Sequence, residues 1–256
     1  MNLLELRGLT KHFGGVRAVE DVSFRVRDGD IISIIGPNGA GKTTLFNCLT
    51  GLTRPTKGKI FFEGNDMSGL PANRIAEAGI ARTFQNIRLF SRMTVLENVM
   101  VAQHSRVRYG LLRAVLRGRV FRDMQRAVRE RAMEYLELTG LGQFAADLSE
   151  GLPYGSRRRL EIARALASEP KVVLLDEPTA GMNPSETSGI MTLIREIRQL
   201  GRTIILIEHD MKLVMGISDR IVVLDHGVKI AEGGPEEVRN DPAVIEAYLG
   251  SEAVHC

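Results

Sequence analysis

Gly36-Pro37-Asn38-Gly39-Ala40-Gly41-Lys42-Thr43-Thr44 decides the fold. The spacing Gly-x-x-x-x-Gly-Lys-Thr is that of a phosphate-cradling loop. A strand-like run, Ile31-Ile32-Ser33-Ile34-Ile35, precedes it, and a helix-like run, Thr44-Leu45-Phe46-Asn47-Cys48-Leu49, follows. That context is what the motif needs. Glycines let the backbone curl so that successive N–H groups face one anion. The start of the helix adds a partial positive charge. Lys42 is expected to reach the terminal phosphates and the Thr43 hydroxyl to ligate Mg²⁺. A glycine-rich turn that binds nothing is the competing reading, and the Lys-Thr pair at the helix start argues against it.

Further apolar runs extend the sheet. Residues 172–175, 204–207 and 221–224 are apolar throughout, which fits a parallel sheet covered on both faces. Leu4-Glu5-Leu6-Arg7 and Val22-Ser23-Phe24-Arg25-Val26-Arg27 alternate instead and read as half-exposed antiparallel strands, with Ile60-Phe61-Phe62-Glu63 a possible third. A short helix is expected from Pro71 to Ala78, stopped by Gly79. Thr94-Val95-Leu96-Glu97 is a capping box that opens a helix towards Gln103. Helical character continues, with breaks at Gly110 and Gly118, to Leu138. Asn183 caps another helix with Pro184 in its first turn, running to about Leu200. Asp241-Pro242 starts a last one.

The segment Leu174-Leu175-Asp176-Glu177-Pro178 ends an apolar strand with two adjacent acids. The first can hold Mg²⁺ and the second can act as base on an attacking water. Two carboxylates at one strand end beside phosphate repel each other without a cation, so a metal–nucleotide site explains them better than a polar loop exit.

Composition sets the remaining bounds. The 256 residues suffice for one large domain, and 44% of them are hydrophobic, as in an ordinary globular protein. No apolar run is long enough to span a bilayer and no signal-peptide pattern is visible, so a cytosolic location is expected. Cys48 reads as a buried apolar side chain and Cys256 as a tail residue; neither has metal-ligand spacing. The net charge is +3, yet residues 104–131 hold nine arginines against two acids, leaving the rest of the chain net acidic. A solvated basic helix face is the plainer reading of that segment; a surface for headgroups or an acidic partner is the sharper one.

Gln85, in Arg82-Thr83-Phe84-Gln85, and His209, in Ile207-Glu208-His209-Asp210, each follow a strand-like run and are bland alone. Taken in order with the phosphate loop, the stretch Leu152-Pro153-Tyr154-Gly155-Ser156 running into a helix, and the acid pair, they resemble the ATP-binding cassette ATPases over essentially the whole chain. Within that family the chain is most similar to the ATPase subunits of branched-chain amino-acid importers. Ala180-Gly181-Met182-Asn183-Pro184-Ser185-Glu186-Thr187 and the ending Ala247-Tyr248-Leu249-Gly250 carry the closer likeness.

The resemblance implies an α/β fold of the P-loop NTPase (RecA-like) kind: a mostly parallel core sheet, a small antiparallel β subdomain and a helical subdomain. The expected bounds are one cassette over 1–256, with 88–165 helical and 1–87 plus 166–256 forming the core and β part. It implies that Phe13 stacks on adenine and that residues 36–44 bind ATP. Gln85 completes the Mg²⁺ shell with Thr43 and Asp176. Glu177 is the general base, and His209 holds the γ-phosphate and the water. Gly155 and Ser156 contact ATP bound to a second ATPase subunit. Further implied partners are two membrane permease subunits and an extracytoplasmic substrate-binding protein, with the chain peripheral on the cytoplasmic face of the inner membrane and no nucleic acid bound. In the signature stretch Pro153 stands where the family usually has serine, so one hydroxyl donor is missing. The competing readings are another cargo (urea, other amino acids, or lipopolysaccharide outward) and a non-transport cassette acting on ribosomes or DNA. One phosphate loop, no sustained heptads and no cysteine cluster weigh against the last.

Overall fold

A computed structural model of the chain describes residues 2–103 and 119–252. The expected helical character between Gly110 and Gly118, four of the nine arginines and Cys256 lie outside the described residues. The chain forms two compact units: Met1–Arg82 with Lys171–Glu177 and Ile194–Cys256, and Thr83–Pro170 with Pro178–Leu193.

The first unit holds two sheets. Strands β1 (Asn2–Phe13), β2 (Val16–Arg27), β4 (Lys57–Phe62) and β5 (Asn65–Asp66) form an antiparallel sheet in the order β2-β1-β4-β5. Residues 22–27 of β2 alternate buried and exposed, because only one face meets the core. The second sheet takes β3 (Ile31–Ile35), β6 (Ile80–Arg82), β7 (Val172–Asp176), β8 (Thr203–Ile207), β9 (Arg220–Asp225) and β10 (Val228–Gly233) in the order β10-β9-β3-β8-β7-β6. Neighbours from β9 to β6 run parallel; β10 is an antiparallel edge on β9. Every residue of β3, β7 and β8 is buried, as expected for strands covered on both faces. Strand β6 is the run expected before Gln85, whereas β10 is an addition to the sequence-based reading, because a mixed edge strand carries too little apolar pattern to stand out.

Helices α1 (Lys42–Leu49), α2 (Ala72–Ala78), α7 (Met211–Ile217), α8 (Pro235–Arg239) and α9 (Pro242–Glu252) belong to the same unit. Its main core joins Leu4, Leu6 and Phe24 of the antiparallel sheet to Ile32, Ile34 and Leu174 of the parallel one, with Leu45 and Phe46 of α1 between. Ile35, Val214, Val223, Val238 and Val244 form a second apolar cluster that seats α7, α8 and α9.

In the second unit, α3 (Val95–Ala102), α4 (Arg119–Leu138) and α5 (Tyr154–Ala167) bury Val95, Val99, Ala132, Leu136, Leu160 and Ala163 together. The capping box is present: Thr94 Oγ1 accepts from the Glu97 N–H at 3.1 Å, and Glu97 Oε2 accepts from the Thr94 N–H at 2.8 Å. On α4, Arg122, Arg126, Arg129 and Arg131 are exposed while Val128, Ala132 and Leu136 are buried, which fits the solvated basic face. Helix α6 (Pro184–Gln199) contributes residues 184–193 to this unit and 194–199 to the first.

Candidate functional site

The loop after β3 is built around its glycines. Gly36 has φ 148°, and a Cβ there falls 2.0 Å from the Leu224 carbonyl oxygen. Gly41 has φ 98°, and a Cβ there falls 2.2 Å from the Ala18 carbonyl oxygen. Any other residue collides with backbone at both positions. Gly41 enters α1 from the left-handed region, with no side-chain cap and no acid in the first turn. The leading N–H groups of α1 therefore meet no competing carboxylate, the arrangement that suits an anion. Lys42 Nζ donates to the carbonyl oxygens of Gly36 (2.6 Å) and Pro37 (2.9 Å), so its ammonium lies over the loop. The Thr43 side chain is exposed. On the inner face of α1, burial pushes the Cys48 thiol up to about 11, which makes it the packing residue expected.

Strand order then gathers what the sequence scatters. The phosphate loop follows β3, His209 follows β8, and Asp176 and Glu177 end β7. Because β3, β8 and β7 are adjacent and parallel, all three exits leave the same sheet edge. Neighbouring strands are about 4.8 Å apart, so the loop and the acid pair stand roughly 10 Å apart at their strand ends, within reach of a lysine side chain. The electrostatics agree. Burial lowers the Lys42 pKa, and the Glu177 and Asp176 carboxylates pull it back up.

Asp176 is buried and fixed by a residue that sequence reasoning missed. Arg82 Nη2, from β6, donates to Asp176 Oδ2 at 2.7 Å, and both side chains are nearly inaccessible. The same guanidinium donates to Asn47 Oδ1 at 2.7 Å and Thr50 Oγ1 at 3.3 Å, and lies over the Phe46 ring. Glu177 takes φ 46°, a strained conformation for glutamate that costs about 1–3 kcal/mol. Its N–H donates to the Ile207 carbonyl at 2.9 Å, which ties it to β8. His209 is exposed, and its N–H donates to the buried Glu208 carboxylate at 3.1 Å. Asp210 caps α7 by accepting from the N–H groups of Lys212 and Leu213. Phe13, at the end of β1, is half exposed with the Lys11 ammonium 4.7 Å from its ring centre.

Among the described residues, no group of three or more His, Cys, Asp or Glu side chains is arranged to hold a metal ion. The donors at the loop and strand end are oxygen atoms, from the Thr43 hydroxyl and the Asp176 carboxylate. That set fits a hard cation such as Mg²⁺, which takes its other ligands from phosphate and water.

The remaining expected site residues lie in the second unit. Pro153 stands at the N-cap of α5 with no side-chain cap, and Gly155 and Ser156 follow in the first turn. Gly155 is buried; a Cβ there falls 2.6 Å from Glu186 Oε1. Glu186 and Asn183 exchange capping hydrogen bonds of 3.0 Å each. Gln85 is held through its main chain. Arg158, fully buried in α5, donates to the carbonyl oxygens of Phe84 (2.5 Å) and Gln85 (2.8 Å), and Glu161 accepts from the Phe84 N–H at 3.1 Å. Arg158 and Glu161 pair with each other at 2.8 Å. Burial pushes the Glu161 carboxyl up, and those bonds counter it only in part. The i,i+3 spacing of Arg158 and Glu161 is present in the sequence, but nothing local marks which arginine of Arg157-Arg158-Arg159 is the buried one.

The family model for the ABC transporter matches residues 19–180, which includes the phosphate loop, the signature stretch and the acid pair. The chain belongs to the ABC transporter family. A model described as branched-chain amino acid ATP-binding cassette transporter matches residues 228–254 of this cassette. The cassette is 51% identical to the high-affinity branched-chain amino acid transport ATP-binding protein LivG of Salmonella typhimurium, over 97% of this chain and 98% of that one. It superposes with TM-score 0.84 on the ADP conformation of an ATP-binding cassette of an ABC transporter, 32% identical, covering 98% and 99% of the two chains. It also superposes with TM-score 0.77 on a dimeric post-hydrolysis cassette bound to ADP and Pi, 27% identical, covering 91% and 98%. Those neighbours carry the P-loop ATPase fold, as expected from the sequence. No helix among the described residues is long and apolar enough to cross a membrane.

Proposed function

We propose that this cassette is the ATP-hydrolysing motor of an importer for branched-chain amino acids. It works at the cytoplasmic face of the inner membrane, on two separate permease subunits fed by an extracytoplasmic binding protein. The observation that carries the chemistry is the convergence of Lys42 with Asp176 and Glu177 at one sheet edge. The likeness to LivG and the match over 228–254 support the cargo. No nucleic acid is involved.

The chain's residues divide the work. Residues 36–44 wrap the phosphates with main-chain N–H groups while Phe13 covers the base. Lys42 exchanges the Gly36 and Pro37 carbonyls for phosphate oxygens. Asp176, kept rigid by Arg82, and the Thr43 hydroxyl would hold Mg²⁺, and Gln85 would supply a further oxygen to it. Bound Mg²⁺ supplies charge neutralisation on the phosphoryl group in transfer. Glu177 takes a proton from the attacking water, and His209 holds that water against the γ-phosphate. The water oxygen bonds to phosphorus as the bridging oxygen leaves with ADP.

A second ATPase subunit, related or identical, closes the site. The N–H groups of Gly155 and Ser156 meet the partner's nucleotide, at an uncapped helix start. Pro153 contributes neither hydroxyl nor N–H there. One preorganised donor is worth about 3 kcal/mol, so the remaining donors carry more of the contact.

The test is co-purification with the permease and receptor, followed by ATP turnover in lipid. Receptor loaded with leucine, isoleucine or valine is expected to stimulate hydrolysis. Stimulation by receptor loaded with an unrelated solute, and none by these three, overturns the cargo.

A further inference from the structure

Arg82 joins the two elements that carry the oxygens assigned to the cation. It closes β6, which runs parallel to β7 with Arg82 opposite Leu174. Asp176 ends β7 just beyond that point. The two Nη atoms of the guanidinium serve different elements. Nη2 donates to Asp176 Oδ2 at 2.7 Å. Nη1 donates to Asn47 Oδ1 at 2.7 Å, in α1, and to Thr50 Oγ1 at 3.3 Å, at the end of that helix. The Thr50 hydroxyl gives its own proton to the Phe46 carbonyl at 2.8 Å, so towards Arg82 it acts as acceptor.

Thr43, Asn47 and Thr50 stand at i, i+4 and i+7, which is one face of a helix. The face of α1 that carries Thr43 is therefore the face Arg82 grips. A guanidinium is a planar, rigid fork. With the Arg82 and Asp176 side chains only 5% and 3% exposed, it forms a brace of fixed length between the end of β7 and α1. It also sets a counter-charge beside the adjacent acids Asp176 and Glu177, whose mutual repulsion calls for one.

We propose that Arg82 is a positioning residue for the divalent cation: it sets the spacing between the Asp176 carboxylate and the Thr43 hydroxyl, so that both oxygens are in place when MgATP binds. The inference rests on reading those two residues as cation donors. A brace and a mere counter-charge differ in what they require. A counter-charge is satisfied by any cation at this position, and deleting it draws Mg²⁺ in more tightly. A brace needs the fork, because one ammonium cannot hold Asp176 and α1 in the same planar geometry. Groups that orient a metal ligand from behind typically carry about 10–100-fold in metal affinity.

The test uses the full chain and calorimetric titration of ATP, once in EDTA and once in excess Mg²⁺. Arg82→Lys keeps the charge and loses the fork. Its ATP affinity in EDTA is expected to stay at the wild-type value, while its affinity in Mg²⁺ falls about 10-fold, the low end for a group behind a metal ligand. Asn47→Ala leaves the Asp176 pair intact and releases the α1 end of the brace; it is expected to weaken MgATP binding in the same sense by a smaller factor. The half-saturating Mg²⁺ for hydrolysis is expected to rise in both. MgATP affinity unchanged or tighter in either variant, or an equal loss in EDTA and in Mg²⁺, overturns the proposal. The wild type is the separate arm: if it binds ATP equally well in EDTA and in Mg²⁺, the reading of Thr43 and Asp176 as cation donors itself fails.

Discussion

Removing the Arg82 side chain is expected to do more harm to folding than its distance from the glycine loop suggests. Arg82→Met keeps volume and the contact with Phe46 but deletes every donor. It takes the 2.7 Å partner away from the Asp176 carboxylate, 3% exposed, and removes the donor to the Asn47 and Thr50 oxygens. Breaking a buried pair by removing one partner costs about 3–5 kcal/mol, because the buried charge that remains loses its closest counter-charge. For a chain of this size that is a fall in melting temperature of roughly 6–20 °C. Asp176→Asn in the same background removes that buried charge, so the double variant is expected to be more stable than Arg82→Met alone. A coupling of about 2–3 kcal/mol is expected from the cycle. Thermal melts and urea titrations of the four proteins measure it. The reasoning is refuted if Arg82→Met loses less than about 1 kcal/mol, or if the double variant loses the sum of the two single losses.

Three further outcomes are expected. Glu177→Gln keeps ATP binding and loses turnover by about 10²–10⁴-fold, as removal of a general base does; steady-state hydrolysis and a filter-binding assay separate the two, and wild-type turnover refutes the base. Lys42→Ala loses nucleotide affinity, measured by calorimetry, since its ammonium is the one side-chain cation donating to the loop carbonyls in the described residues. At the antiparallel sheet, hydrogen bonds from Arg7 and Arg25 hold the Glu5 carboxyl down at about 2, from an ordinary value of 4.5. The unfolded chain therefore binds the extra proton first on acidification. The Glu5 contribution is complete above pH 4.5 and is lost as pH falls towards 2. Urea midpoints of Glu5→Gln measured from pH 5.5 to pH 2.5 are expected to fall less steeply than those of the wild type.

Local chemistry made much of this protein legible in one dimension. Gly36 to Thr44, with an apolar run before and a helix start behind, specifies a strand, an anion-sized curl and a helix through nearest neighbours alone. The capping box at Thr94 and Glu97, and Asn183 ahead of Pro184, likewise act within four residues. Continuous apolar runs announced buried parallel strands because a strand covered on both faces has no polar side to show.

Other features exist only once strands are ordered. That β8 lies between β3 and β7, so that Lys42 faces Asp176 and Glu177, depends on long-range pairing that no window of sequence encodes. Arg82 and Arg158 share that fate. Each looks like an ordinary strand or helix residue in sequence, and each becomes a structural anchor only because tertiary packing removes water from it and sets a distant backbone or carboxylate in front of it. Burial turns a polar side chain into an obligation to find a partner, and which partner is decided by topology.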